Sequence, residues 1–261
     1  MTQRQSKLVF LGLLLRSLLA ATRVSAAEPT DGAVPPAWIK PVFDRGLTKI
    51  EFYDPAKQPQ QFPGWTTYNF DLDHRFTYEY ESRETTRNSK QKSLVTITPH
   101  FTQIEFAVRH LIQLPKRLDT ARVWDVPLAQ HELEHVAISG HLRVVLLAEH
   151  LVQKIKKIER TFDKPSQITD ETLQAAINDA ITPRRQALDA LLTANNRHLD
   201  KLTGHGAKAL ADREAHFAQL YLKENLDEMK FRFLADVLDL LDQPRYQAAR
   251  WESPTTTKTP E

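Results

Sequence analysis

The chain has no cysteine, two methionines and only seven glycines in 261 residues. Without cysteine there is no disulfide framework, no thiolate nucleophile, no sulfur ligand for a metal and no attachment point for a lipoprotein anchor. The shortage of glycine argues against a turn-rich all-β fold and for helices. A long apolar run is also missing. The longest candidate, LVFLGLLL at 8–15, is stopped by Arg16 and is too short to span a bilayer. Nor is there a surplus of charge of one sign. The formal net charge is +2, and the first 27 residues hold four of the 35 basic residues and no acid, so the remainder carries 31 basic against 33 acidic residues. A net charge of −2 leaves no electrostatic case for a nucleic-acid partner.

What is present begins with a three-part leader. Arg4 and Lys7 precede the apolar run, and VSAA precedes Glu28. This pattern predicts a signal peptide over residues 1–27, cleaved after Ala26 or Ala27. An exported chain without disulfides fits a periplasmic or secreted protein with no stable membrane anchor after cleavage. Residues 28–64 are rich in Pro, Gln and Asp and read as a linker or extended arm, which Trp38, Ile39, Val42 and Phe43 can pin to a surface.

Period-two alternation follows. Tyr68, Phe70 and Leu72, then Phe76, Tyr78 and Tyr80, then Ile104 through Leu114 place apolar side chains on one face of three or four antiparallel strands. The polar stretch SRETTRNSKQKS (82–93) reads as a hairpin loop. From Trp124 onward the pattern is helical. One helix is expected from Pro127 to about Arg160, a second over 166–201 interrupted or restarted at Pro183, and a third over 207–242 after the break LTGHG (202–206). Residues 243–261 read as a disordered tail. The expected fold is α+β: a small antiparallel sheet followed by long helices, within one domain over 65–242.

The most specific local signal is HELEHVAISGH (131–141). On an α-helix His131 and His135 lie one turn apart on one face, so two imidazoles can grip one ion. Glu132 is shifted around the helix. From there its carboxylate can take a proton from water at the metal and pass it to a leaving amine, which is the logic of the H-E-x-x-H signature. The competing reading is a solvated helix face with two surface histidines. A catalytic zinc needs a third protein ligand and an open position. His141 has the spacing of the longer metzincin signature, but Ile138 stands where that signature turns at glycine, and a continuing helix would point His141 away. His205, between Gly204 and Gly206, is the other candidate, because two glycines let the backbone turn and approach closely. His198 and His216 sit mid-helix, where a solvated face is the default.

In order, Leu114–Pro115, Trp124, HExxH at 131–135 and D-x-x-T-x-H-G (Asp200, Thr203, His205, Gly206) resemble the bacterial family of predicted secreted zinc-dependent proteases catalogued as DUF922. The resemblance covers roughly residues 65–225. It implies a zincin-like fold with the HExxH motif on a helix and an exported metallopeptidase acting on a peptide or protein. It assigns His131, His135 and His205 as Zn2+ ligands, Glu132 as general base and Asp200 as a support for the third ligand. Arg213, His216 and Tyr221, which follow His205, are the candidates for an oxyanion stabiliser. The alternative is a non-catalytic cell-envelope protein of interacting helices with a structural metal or none.

Overall fold

The computed structural model describes residues 3–7, 35–44, 47–57, 63–87 and 90–249. Two long strands, β3 (Trp65–Arg87) and β4 (Lys90–Pro115), make an antiparallel hairpin that organises the sheet. The short strands attach to it. β1 (Gln3–Lys7) pairs with β3 at Tyr78–Ser82, β2 (Thr48–Tyr53) runs parallel to β4 at His110–Pro115, and β5 (Ile158–Phe162) pairs with β4 at Ser93–Ile97. The alternation seen in the sequence sets the buried face. Phe70, Leu72 and Tyr78 of β3 and Phe106, Val108, Ile112 and Leu114 of β4 point inward. Thr102 is an extra residue in β4, opposite the Arg75/Phe76 step. A bulge shifts parity by one. On its far side the buried residues of β4 are therefore odd-numbered, Val95 and Ile97.

Helices cover that face. After the short helix α1 (Lys40–Asp44) and the sheet come α2 (Pro127–Ser139), α3 (Leu142–Gln153) and α4 (Asp170–Thr203), which packs across α2 and α3. Four short helices close the chain: α5 (Arg213–Gln219), α6 (Lys223–Glu228), α7 (Leu234–Leu241) and α8 (Pro244–Ala248). The architecture is mixed α+β with one continuous core. No helix among the described residues is long and apolar enough to cross a membrane.

Several sequence expectations are corrected. Residues 82–93 are no open loop: Ser82 pairs with Val95 and Arg87 with Lys90, so the hairpin stays in register almost to its tip. The helix from Pro127 does not reach Arg160. It stops at Gly140, restarts as α3 and gives way to β5. Pro183 does not interrupt α4, which stays continuous for 34 residues. The stretch 207–242 is three short helices rather than one. Within 28–64, β2 is an integral strand, while Ile39 and Val42 are buried, Trp38 stacks on Phe217 and Phe43 meets Trp124 edge-on. Within 243–261, α8 is ordered around a fully buried Tyr246. The remainder of that tail lies outside the described residues. So does the expected leader apart from residues 3–7, which are the edge strand β1.

Arg143 ties the C-terminal helices down. Its buried guanidinium donates to the carbonyls of Ala218 and Leu220 at 2.8 Å and of Tyr246 at 3.3 Å. A buried cation is tolerated when its donors all find acceptors.

Candidate metal centre

Helix α2 presents His131 and His135 one turn apart, and their Nε2 atoms are 3.1 Å apart. Asp200, in the last turn of α4, places Oδ1 3.2 Å from each. These three could hold one metal ion. Four ligand atoms about 2.0–2.1 Å from a tetrahedral ion are separated by about 3.3 Å, so the observed triangle has a fitting size.

The outer partners of the imidazoles sharpen this. Asn196 donates its Nδ2 hydrogen to Leu192 O at 2.9 Å, which turns its Oδ1 towards His135 Nδ1 at 2.8 Å. An oxygen there can only accept, so His135 Nδ1 carries the hydrogen. Thr203 Oγ1 donates to Leu199 O at 2.9 Å, and therefore accepts from His131 Nδ1 at 3.2 Å. When neutral, both rings thus turn the lone pair of Nε2 towards Asp200 Oδ1. Three acceptors meet at one point. One proton can satisfy two of them; one metal ion satisfies all three. Electrostatics agree with a cation at that point. Burial would raise the Asp200 pKa, but the close approach of His131 and His135, in whichever of their forms carries positive charge, outweighs it and holds the carboxyl well below its usual range. Burial likewise works to lower the His135 pKa, yet Asp200 and Glu132 together push it up.

Glu132 is buried beside the triad, within electrostatic reach of His135, His131 and Asp200. Burial raises its pKa above the ordinary carboxylate value, against the lowering effect of His135. Thr66 Oγ1, near the start of β3, donates to its Oε2 at 2.8 Å. Oε1 faces the backbone of Gly64, where an added Cβ would come within 3.1 Å of it. Glu134, the other acid of the motif, is committed elsewhere: Arg213 Nε donates to its Oε1 at 2.8 Å, with the guanidinium lying over the Trp38 ring.

The structure places the expected third ligand differently. Asp200 meets the histidine pair, and His205 stands behind it, with Nδ1 3.4 Å from the same Asp200 oxygen and its side chain 55% exposed. The reason is the turn after α4. Gly204, His205 and Gly206 all have positive φ, which carries His205 outward while the turn doubles back. Gly206 then lies flat against the His131 ring, where a Cβ would approach ring atoms to 3.0–3.1 Å. His141 is not at the centre. It is the buried N-cap of α3, its Nδ1 accepting from Arg143 N at 3.1 Å, and its ring meets Tyr221 edge-on. The helix therefore restarts at His141, where the sequence suggested continuation.

None of the three residues proposed as oxyanion stabilisers meets the triad in the structure. Arg213 binds Glu134, the fully buried Tyr221 donates to Ile138 O at 2.8 Å, and His216 lies against His198 in a separate cavity. What sequence reasoning missed is a polar stripe on α4. Asn196, Asp200 and Thr203, at i, i+4 and i+7, share one face and bring their polar atoms to the two imidazoles. That spacing was readable once α4 was known to be unbroken.

Comparisons with protein-family models, with curated proteins and with solved structures find no match for this chain.

Proposed function

We propose that the chain is an exported zinc-dependent hydrolase of the zincin type that cleaves peptide bonds, with His131, His135 and Asp200 as metal ligands and Glu132 as general base. The observation that carries this reading is the meeting of two lone pairs and a carboxylate oxygen beside a buried glutamate. Two imidazoles and one carboxylate are a donor set of catalytic zinc sites, which keep the fourth position open. Zinc held there supplies Lewis-acid polarisation and makes water acidic enough to attack near neutral pH. The chain's own groups supply the rest. Asn196 and Thr203 fix the imidazole tautomers. Thr66 holds Glu132 Oε2, leaving the carboxylate to accept a proton and deliver it to the leaving nitrogen. Its burial-raised pKa suits both halves of that transfer.

A peptide substrate is favoured by the sheet edge. On the side away from β4, β3 has no strand partner among the described residues from Trp65 to Thr77, and Thr66 of this stretch touches Glu132. An extended chain can pair with such an edge by main-chain hydrogen bonds. The sequence resemblance points the same way, since its D-x-x-T-x-H-G run contains Asp200 and Thr203. Export rests on the leader pattern alone.

The test is elemental analysis of the purified protein paired with chelator-sensitive cleavage of a peptide library. One equivalent of zinc is expected in the wild type and in Glu132→Gln, with cleavage lost in the latter by at least about a hundredfold. His135→Ala and Asp200→Asn should lose the metal, whereas His205→Ala should retain it. A metal-free wild type, or a Glu132→Gln variant that still cleaves, would overturn the proposal.

A further inference from the structure

Behind the turn at 203–206, on the side away from the triad, lies a cavity of 620 Å³ between the end of α4, α5 and α6. No residue of the metal centre lines it. Its volume falls within the range of small-ligand sites. Two features of its wall are unusual. His198 and His216 face each other with their rings parallel to within 4° and their centroids 6.2 Å apart. Nε2 of His216 is shut off from solvent and has no hydrogen-bond partner among the described residues. Burial, and then the neighbouring His198, lower the His216 pKa, so this imidazole stays neutral and adds no positive charge.

The charges on the wall are one-sided. Glu224 and Glu228 project from α6, and neither has an ion-pair or hydrogen-bond partner among the described residues. Asp212 uses Oδ1 to cap α5 through Ala215 N at 2.9 Å, which leaves its second oxygen. Lys208 is the single cation on the lining. Gln219 and Asn225 are the neutral polar residues of the wall, and Asn225 is already bonded to Asn195 and Tyr221 N. The remainder is apolar and includes Leu202, which at 40% exposure is one of two large apolar side chains left open among the described residues.

We propose that this cavity is a second binding site, specific for a guanidinium group carried on an apolar stem, as in the arginine side chain of a peptide. Each part of that group has a counterpart. The planar cation stacks on the parallel imidazole rings, as guanidinium does on aromatic faces. Its N–H fork meets the carboxylates of Glu224 and Glu228, a geometry that favours arginine over the point charge of lysine. The methylene stem lies along Leu202 and the alanines beside it. The site is independent of the metal reading and stands or falls separately.

The probe is Nα-acetyl-arginine amide, titrated into the full-length protein and followed by the amide NMR shifts of residues 198–228. Saturable binding is expected, with shifts centred on His198, His216 and Glu224. The double variant Glu224→Gln/Glu228→Gln, altered at two exposed positions that leave the core untouched, should bind at least about tenfold more weakly. The neutral citrulline analogue should not bind, and the lysine analogue should bind several-fold more weakly than arginine. The proposal is overturned by no saturable binding, by citrulline or lysine binding as well as arginine, or by affinity unchanged in the double variant.

Discussion

Thr203 and Asn196 decide which nitrogen of each imidazole is bare. Thr203 is fully buried and its hydroxyl is committed to Leu199 O, so its only service to His131 Nδ1 is as an acceptor. Thr203→Val keeps the shape and removes that acceptor. Asn196→Leu does the same to His135. Each should lower metal affinity about 10–100-fold, the usual consequence of losing an outer partner of a ligating histidine. Competition with a chromogenic chelator measures this, and circular dichroism should show an unchanged fold. If either variant binds metal as tightly as the wild type, the tautomer assignment is wrong at that histidine. Gly206 acts at the same scale by a different route. With φ +75° and the His131 ring against its Cα, it is both conformationally and sterically reserved.

Elements explain how much of this was legible in the sequence. The alternating face of β3 and β4 was readable because a pleated strand buries every second residue. The parity switch was not, because nothing in the local sequence marks Thr102 as the bulged residue. His131, Glu132 and His135 were found because a helix periodicity brings them together within five residues. Asp200 was read only as a support for His205, which it does touch; its meeting with His131 and His135 depends on a tertiary crossing of α4 over α2 and was not legible. The break between α2 and α3 was hidden for a similar reason. The apolar pattern persists through 142–153, and only the long-range contacts at the C-terminus of α2 reveal that the helix has ended. One of these is testable. Tyr221, held at φ +63°, donates to Ile138 O, and Tyr246 donates to Tyr221 O at 2.6 Å. Tyr221→Phe leaves a buried helix-end carbonyl with one partner fewer and should cost about 1–2 kcal/mol in urea denaturation. Under the proposed metal reading, metal content should be unchanged, since Ile138 lies beyond His131 and His135. A loss of metal together with stability would mean that the end of α2 controls the spacing of His131 and His135.

For the molecule as a whole, the buried histidines outside the metal centre set an acid limit. His110 is almost fully buried in the sheet, bridging Ser139 Oγ at 2.8 Å and Thr48 Oγ1 at 3.3 Å, and burial lowers its pKa from 6.5 to about 4. His141 is lowered to about 3, by burial first and then by the charge of Arg143. Both pKa values are depressed on folding, so the neutral forms favour the folded state. Well above pH 6.5 neither histidine is protonated in either state and stability is flat with respect to them. Below it the unfolded chain binds protons that the folded chain refuses, and stability falls as pH drops towards the folded values. Each histidine steepens that fall by about 1.4 kcal/mol per pH unit, and His110 alone removes about 3 kcal/mol by pH 4. Against a typical total of about 5–15 kcal/mol, the two together remove about 6 kcal/mol by pH 4, so the loss of stability begins before carboxylates protonate. Urea denaturation between pH 7 and 4.5, in chelator so that metal release does not contribute, should show this slope. His110→Gln, which keeps a polar group between Thr48 and Ser139 but cannot titrate, should be less stable at pH 7 and lose stability less steeply on acidification, by one proton's worth. An unchanged slope in that variant would move the acid limit to other groups and leave His110 as a purely structural link between β4 and α2, the helix of His131 and His135.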